Sequence, residues 1–435
     1  MIRRSAVAGQ FYPGTYKQLK DMVASLVPEG LAKADVLGCV VPHAGFVYSG
    51  EVAGVVYSRI ELPETAVIIG PNHTGKGKPF AMIAQGGWET PLGAVGIDSP
   101  FAERLLTISH YLKEDPEAHR LEHSVEVQLP FLQYLKPDIK VVPVVLGYGT
   151  GDIYCEIGRE IGRVARELGT SVLVIASSDM THYEPHSQAK GKDEKAIEAI
   201  LALDEEALLE RVDRLGITMC GYAPAVCMIS AARVLGAGTG ELVGYKTSGD
   251  TTGDFESVVG YAGIILKRMH PLAELARQAV DAYVTGGEKL SPKELTPEMK
   301  DKAGVFVSIH KGSSLRGCIG TYEPYRANVA GEIITNAISS ASTDPRFLPV
   351  TADDLPFLSY SVDVLSPPEP VSGEKDLNPQ KYGVIVERGE RRGLLLPDLE
   401  GVETPHEQIT ICRQKAGIDP IEPVRISRFQ VKRYH

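Results

Sequence analysis

Short runs of β-branched and aliphatic residues, each closed by Gly, Pro, Asn or Ser, recur through residues 1–267. Leu37-Gly38-Cys39-Val40-Val41, Thr65-Ala66-Val67-Ile68-Ile69-Gly70, Val141-Val142-Pro143-Val144-Val145-Leu146 and Ser171-Val172-Leu173-Val174-Ile175-Ala176 have the length and composition of buried strands. Pro143 predicts a bulge or an edge, because proline cannot donate to a ladder. Helical spacing fills residues 152–168, ending near Gly169, and residues 194–209, with acidic positions outward. A last strand is expected over 257–266. This alternation predicts an α/β domain with a mainly parallel central sheet flanked by helices. A boundary at Lys267-Arg268-Met269-His270-Pro271 separates domain 1–267 from domain 268–435. Beyond it Leu272, Leu275, Ala276, Ala279, Val280 and Tyr283 share a helix face that closes at Gly286-Gly287. Residues 305–310 and 315–320 then flank a turn at Lys311-Gly312-Ser313-Ser314, and residues 358–365 alternate as a strand, which predicts a smaller α+β domain.

Three of the apolar runs lead directly into histidines: Pro42-His43-Ala44-Gly45, Pro71-Asn72-His73-Thr74 and Ser177-Ser178-Asp179-Met180-Thr181-His182. In open α/β sheets the crevice at the carboxyl ends of the strands is the ligand site. His43 and His73 are the leading metal ligands, since neutral imidazole suits zinc, iron and copper. Cys220, Asp179 and Glu126 are alternatives for a third ligand, a thiolate favouring a softer ion. His182, with Asp179 to orient its ring, is a candidate general acid or base. His119-Arg120-Leu121-Glu122-His123 lacks the HExxH order of zinc proteases. His123, with Glu126 three residues on, is expected to face the site as a further catalytic candidate, and His119 to be solvated. Asp250-Thr251-Thr252-Gly253-Asp254 is expected as a substrate-facing loop.

Composition narrows the function. A net charge of −11 argues against nucleic acid as the main partner. No apolar run approaches a membrane span, and the arginines near the start precede no signal-type apolar region. Six cysteines without a CxxC pair point to free thiols and a cytoplasmic location.

The motifs PHAG at 42–45, GPNH at 70–73, EHSVEVQLPFLQ at 122–133, SSDMTH at 177–182 and CG at 220–221 resemble the Memo family, itself similar in fold to class III extradiol dioxygenases of the LigB type. The resemblance implies His43, His73 and Cys220 as ligands of one mononuclear ion, iron or copper, with zinc a further candidate. It places His182, beside Asp179, where the dioxygenases keep an acid–base histidine. The chain departs from some relatives in having Thr74 after the GPNH motif and Tyr222-Ala223 after the CG pair. The dioxygenases carry a carboxylate where Cys220 stands, and a thiolate donates differently and is itself oxidisable.

In the second half, Leu315-Arg316-Gly317-Cys318-Ile319-Gly320 is the sharpest pattern. Strand spacing puts Arg316 and Cys318 on one face, where a guanidinium would favour thiolate. Asp344-Pro345-Arg346-Phe347 adds another cation. These motifs, with the SYSVDVLSPPEPV run at 359–371, resemble the AMMECR domain. Both families recur beside a radical S-adenosylmethionine protein, which the resemblance implies as a partner; no CxxxCxxC cluster motif is present in this chain. The leading expectation is a metal-dependent redox protein acting on a small molecule or a protein residue. The alternatives are a binding or scaffold protein with a retained dioxygenase-like pocket, and a hydrolase using Cys318 or Cys220 as nucleophile.

Overall fold

The protein is described by a computed structural model over residues 2–435, apart from Lys293, Ser313 and Glu400. Ser313 of the expected 311–314 turn therefore lies outside the described residues. The fold divides into two units, Met1–Met269 and His270–His435.

The first unit is built on twelve strands: β1 (Ile2–Arg3), β2 (Val36–Val41), β3 (Thr65–Pro71), β4 (Phe80–Met82), β5 (Gly87–Thr90), β6 (Gly93–Ile97), β7 (Lys113–Glu114), β8 (Lys140–Leu146), β9 (Val172–Ser177), β10 (His182–Glu184), β11 (Ala237–Thr247) and β12 (Val258–Arg268). Their order is β1-β5-β6-β8-β3-β9-β2-β12-β10, with β11 also on β12 and β4 on β8. Strands β6, β8, β3, β9 and β2 run parallel. Every residue of β2, β3 and β9 is buried, as unbroken apolar runs in a sheet covered on both faces require. Helix Tyr222–Leu235 packs on β2, β3 and β9, and helix Phe46–Ser58 on β11 and β12.

Pro143 lies in the interior of the sheet, opposite Ile68 of β3. On the other side of β8, β6 pairs only with Lys140 and Val141, and β4 only with Val144 to Leu146. The proline thus occupies the gap between two partners, where no N–H is called for. The single helix expected over 194–209 is instead two, His186–Leu201 and Glu205–Leu215. Leu203 breaks them with a φ of 54°, and the Asp204 carboxylate restarts the helix by accepting from the Ala207 N–H. Residues Gly249–Thr252 form one helical turn, closed by Gly253, within the loop expected over 250–254.

The second unit carries two antiparallel sheets. Its strands are β13 (Val305–Lys311), β14 (Ser314–Thr321), β15 (Leu358–Leu365), β16 (Glu369–Pro370), β17 (Gly383–Arg388), β18 (Arg391–Leu395), β19 (Arg425–Phe429) and β20 (Val431–Tyr434). The sheet orders are β14-β13-β15-β20 and β16-β19-β17-β18. Helix Val329–Ser342 is fastened to the first sheet by polar side chains one turn apart: Asn336 Nδ2 donates to Val305 O (2.9 Å) and Ser340 Oγ to Val307 O (2.8 Å). A Cβ on Gly317 would lie 2.1 Å from Ser340 O, so this glycine lets the helix approach.

Candidate metal centre

Because β3, β9 and β2 are parallel neighbours, their carboxyl ends deliver three loops to one edge. His43 and His73 each stand two residues beyond β2 and β3. His123 arrives from the segment between the short helix Pro116–His119 and the turn Glu126–Gln128. Ligand atoms of His43, His73 and His123 all lie within 4.8 Å of one another, so the three could hold one metal ion. The His73 and His123 rings stack at 4.7 Å, and His43 stands edge-on to both, at 5.1 and 5.4 Å. The Phe11 ring packs on His123 at 4.8 Å.

Hydrogen bonds fix which ring nitrogen is free. Ser177 Oγ gives its one proton to Ser124 O (2.6 Å). It must then accept from Gln128 Nε2 (2.8 Å) and from His43 Nδ1 (3.1 Å). His43 therefore carries its proton on Nδ1 and turns the Nε2 lone pair outward. Gln128 is itself held by the Tyr57 hydroxyl, which donates to Oε1 at 2.9 Å. Glu122 does the same for His73: its carboxylate, fully buried, lies 2.9 Å from His73 Nδ1 and accepts the His73 backbone N–H at 2.7 Å. It also accepts the N–H groups of His123 (3.0 Å) and Ser124 (2.9 Å). Burial works to raise the Glu122 pKa, but the bond from His73 and these neighbours outweigh it and hold the group at about 2. Burial, then the proximity of His123 and His73, keeps His43 well below the ordinary imidazole range. Burial likewise lowers His123. Neutral rings with a free nitrogen are what a metal site needs.

Cys220 Sγ lies 3.2 Å from His43 Nε2 and receives the Asp179 N–H at 3.3 Å. Burial, then the Asp179 carboxylate, pushes its thiol upward. The Gly that follows is required by packing: a Cβ on Gly221 would lie 2.6 Å from Ser177 O and 2.4 Å from Ser178 Cβ. Asp179 Oδ1 accepts the His43 N–H at 2.7 Å, and burial raises this carboxyl to about 6 against the opposing bonds from His43 and Ala44.

The ring of His182 is oriented by Thr218 and not by Asp179. His182 Nδ1 lies 2.9 Å from Thr218 O, and its N–H donates to Thr218 Oγ1 at 2.7 Å. A carbonyl only accepts, so Nδ1 is protonated and Nε2 is the basic nitrogen. Two further expectations are corrected. Glu126 is turned away from the centre, where it is buried against Arg3 and accepts from Ala6 N (2.8 Å), Val7 N (3.0 Å) and Tyr12 Oη (2.6 Å). His119 is fully buried, edge-on to Trp88 at 5.7 Å, and is pushed to about 4 by burial and then by Arg3. Neither partnership is visible in the local sequence, since Arg3 reaches Glu126 across 123 residues. Glu122, Ser177, Gln128 and Thr218 were the functional neighbours that sequence reasoning missed. Glu122 and Gln128 lie inside the EHSVEVQ motif with His123, and Ser177 opens the SSDMTH motif, whereas Thr218 lies in no quoted motif.

In the second unit, Arg316 and Cys318 are separated by a bulge. The β13 ladder pairs Ile309 with Gly317 and His310 with Leu315, skipping Arg316. The Arg316 guanidinium is taken up by the carbonyls of Leu348 and Pro349. The cation at Cys318 is Arg346, whose Nη2 donates to Cys318 O at 2.9 Å.

A family model described as Memo-like protein matches residues 3–265, and one described as AMMECR1 matches residues 273–434. A MEMO1 family protein of Methanopyrus kandleri is 45% identical over 282 residues, 62% of this chain and 100% of that protein. One of Aquifex aeolicus is 44% identical over 268 residues, 61% of this chain and 98% of that protein. Among solved structures, an uncharacterized protein of Pyrococcus horikoshii is 34% identical, covering 37% of this chain and 88% of that one, with a TM-score of 0.35. Among the described residues no helix is long and apolar enough to cross a membrane.

Proposed function

Because this chain belongs to the Memo-like protein family, we propose that its first unit is a mononuclear iron or copper protein performing redox chemistry on a small molecule or on a residue of another protein. The observation that carries the reading is the convergence of three imidazoles, two of them locked in the Nδ1–H form by Ser177 and Glu122. His43 and His73 would hold the ion through Nε2, with His123 and Cys220 as competing third ligands. When bound, such an ion supplies a Lewis-acidic centre able to change oxidation state. The chain's own groups do the rest. His182, its Nδ1 proton held by Thr218, takes or returns a proton at Nε2. Asp179, with a carboxyl near pH 6, is a second proton store beside the His43 backbone. Phe11, packed on His123 at 4.8 Å, adds an apolar ring to the wall of the site.

The family resemblance supports a radical S-adenosylmethionine protein as partner, which copurification at native expression levels would test. The function itself is tested by the metal content of anaerobically purified protein beside His43→Ala, His123→Ala and Cys220→Ser. About one equivalent of iron or copper, lost in His43→Ala, is the expected result. Loss in His123→Ala or in Cys220→Ser then identifies the third ligand. A protein that carries no metal and refuses added iron, copper and zinc would overturn the reading in favour of a scaffold with a retained pocket.

A further inference from the structure

The first sheet of the second unit has two unlike faces. Val305, Val307 and Ile309 are fully buried on the side of helix Val329–Ser342. Alternation sends Phe306, Ser308 and His310 to the opposite side. Residues directly across an antiparallel ladder share a face, and the register places Cys318 and Ser361 beside Ser308, Asp363 beside Phe306, and Arg433 beside Asp363. This face therefore combines Phe306 and Leu365, which pack with Ile385 and Phe429, with a thiol, two serines, an aspartate and an arginine. Ser308 Oγ donates to Cys318 Sγ at 3.2 Å.

Two guanidinium groups stand on this side of the sheet, Arg346 at Cys318 and Arg433 at Asp363, each gripped on one edge by a buried carboxylate. Arg346 donates through Nε (3.0 Å) and Nη2 (2.7 Å) to Asp344, which also accepts the Cys318 N–H at 2.9 Å. Arg433 donates through Nε (2.7 Å) and Nη2 (2.8 Å) to Asp363. The Asp344 and Asp363 side chains are only 1% and 3% exposed, whereas Arg346 and Arg433 are 54% and 41% exposed. A charge on Cys318 is felt by both arginines. Among the described residues the Nη1 amino group of each has no hydrogen-bond partner. Both Nη2 protons of Arg346 are spent on Asp344 and Cys318 O, so this residue offers Nη1 alone, whereas Arg433, held by Asp363 on one edge, presents Nη1 and its second Nη2 proton in the planar fork that matches carboxylate and phosphate oxygens.

We propose that Arg346 and Arg433 form a binding site for an oxoanion, the carboxylate or phosphate group of a small molecule, seated beside Cys318. Asp344 and Asp363 neutralise the two cations, so recognition rests on the aimed N–H groups more than on net charge. The site uses no residue of the metal centre and stands independently of it.

The test compares alkylation of Cys318 in the full-length protein by iodoacetate, which carries a carboxylate, and by iodoacetamide, which is neutral. Their ratio at one thiol cancels that thiol's protonation state. Peptide mass spectrometry should show a ratio about tenfold above that of free cysteine in the same tube, the effect of one charge-assisted hydrogen bond. Arg433→Gln and Arg346→Gln should each bring it down, and Arg346→Lys should restore part of it. Inorganic phosphate and acetate, at ionic strength matched with chloride, should slow the reaction, and the more potent anion identifies the ligand group. A wild-type ratio equal to that of free cysteine overturns the proposal, as does protection by chloride alone. So does a Cys318 that neither reagent reaches.

Discussion

Glu122→Gln is the sharpest perturbation of the metal centre, because it keeps the side chain's volume and removes only its charge. Oε1 of Glu122 lies within hydrogen-bond distance of His73 Nδ1, His123 N and Ser124 N, while Oε2 accepts the His73 N–H. A glutamine can keep its carbonyl toward the first three. Its amino group then confronts the His73 N–H, donor against donor, in a fully buried position. An unsatisfied buried donor costs about 1–3 kcal/mol. The fall of the Glu122 pKa from 4.5 to about 2 is worth a further ~3 kcal/mol, lost with the charge. The sign can be checked against pH. A depressed carboxylate contributes stability that is present above pH 4.5 and disappears as pH falls toward 2. The variant's deficit relative to wild type should therefore be full at pH 7 and shrink in acid. His73, no longer paired with an anion, is a poorer ligand, and loss of such a supporting group weakens metal binding about 10–100-fold. Chelator-competition titration of Fe(II), Cu(II) and Zn(II) measures this, and thermal unfolding of metal-free protein measures the stability. Affinity within twofold of wild type for all three ions, with an unchanged unfolding midpoint, would refute the assignment of Glu122 as the group that orients His73.

Ser177→Ala leaves His43 Nδ1 and Gln128 Nε2 without their shared acceptor and should weaken metal binding about tenfold, with Ser177→Thr close to wild type in the same titration. Burial raises Asp179 to about 6 from 3.8, so its ionisation destabilises the metal-free fold. The gain in stability of Asp179→Asn over wild type should grow from pH 4 to pH 6 and then level, reaching ~3 kcal/mol in chemical denaturation; a gain that is flat across this window contradicts the raised carboxyl. Gly221→Ala drives a Cβ into the Ser177 carbonyl and should cost about 1–3 kcal/mol while displacing Cys220, seen as lost metal in Gly221→Ala protein that still folds by circular dichroism.

What could be read from the sequence follows a physical divide. Strands β2, β3, β8 and β9 are buried on both faces, so their apolar runs announce them directly. Strand β11 passed unnoticed because it is half-exposed, glycine-bearing and polar, AGTGELVGYKT, and takes its place from β12 alone. The break at Leu203 was hidden because helical periodicity continues through it. His43, His73, Asp179 and His182 were legible because they follow predicted strand ends, where the topology fixes their location. The environments of Glu126 and His119 were not, because Arg3 and Trp88 come from a distant part of the chain. The same distance hid Ser177 as the group that fixes the His43 tautomer: its hydroxyl is defined only once Ser124 and Gln128 are in place.

The order of strands also bears on how the site comes into being. Cys220 meets His43 across 177 residues, Asp179 meets His43 across 136, and β2 gains its second neighbour only with β12, Val258–Arg268. A chain emerging from the ribosome thus displays all three histidines well before the sheet that aligns them can close. Contacts so far apart are slow to form, because the entropy of long loops must be overcome before any of them rewards the chain. Until then the imidazoles are separate weak donors, and the ion has no geometry to select it. A fragment released before Val258 lacks β12 and leaves the edge of β2 beside His43 unpaired, so the proposed site reaches its final surroundings only once the whole first unit has been made.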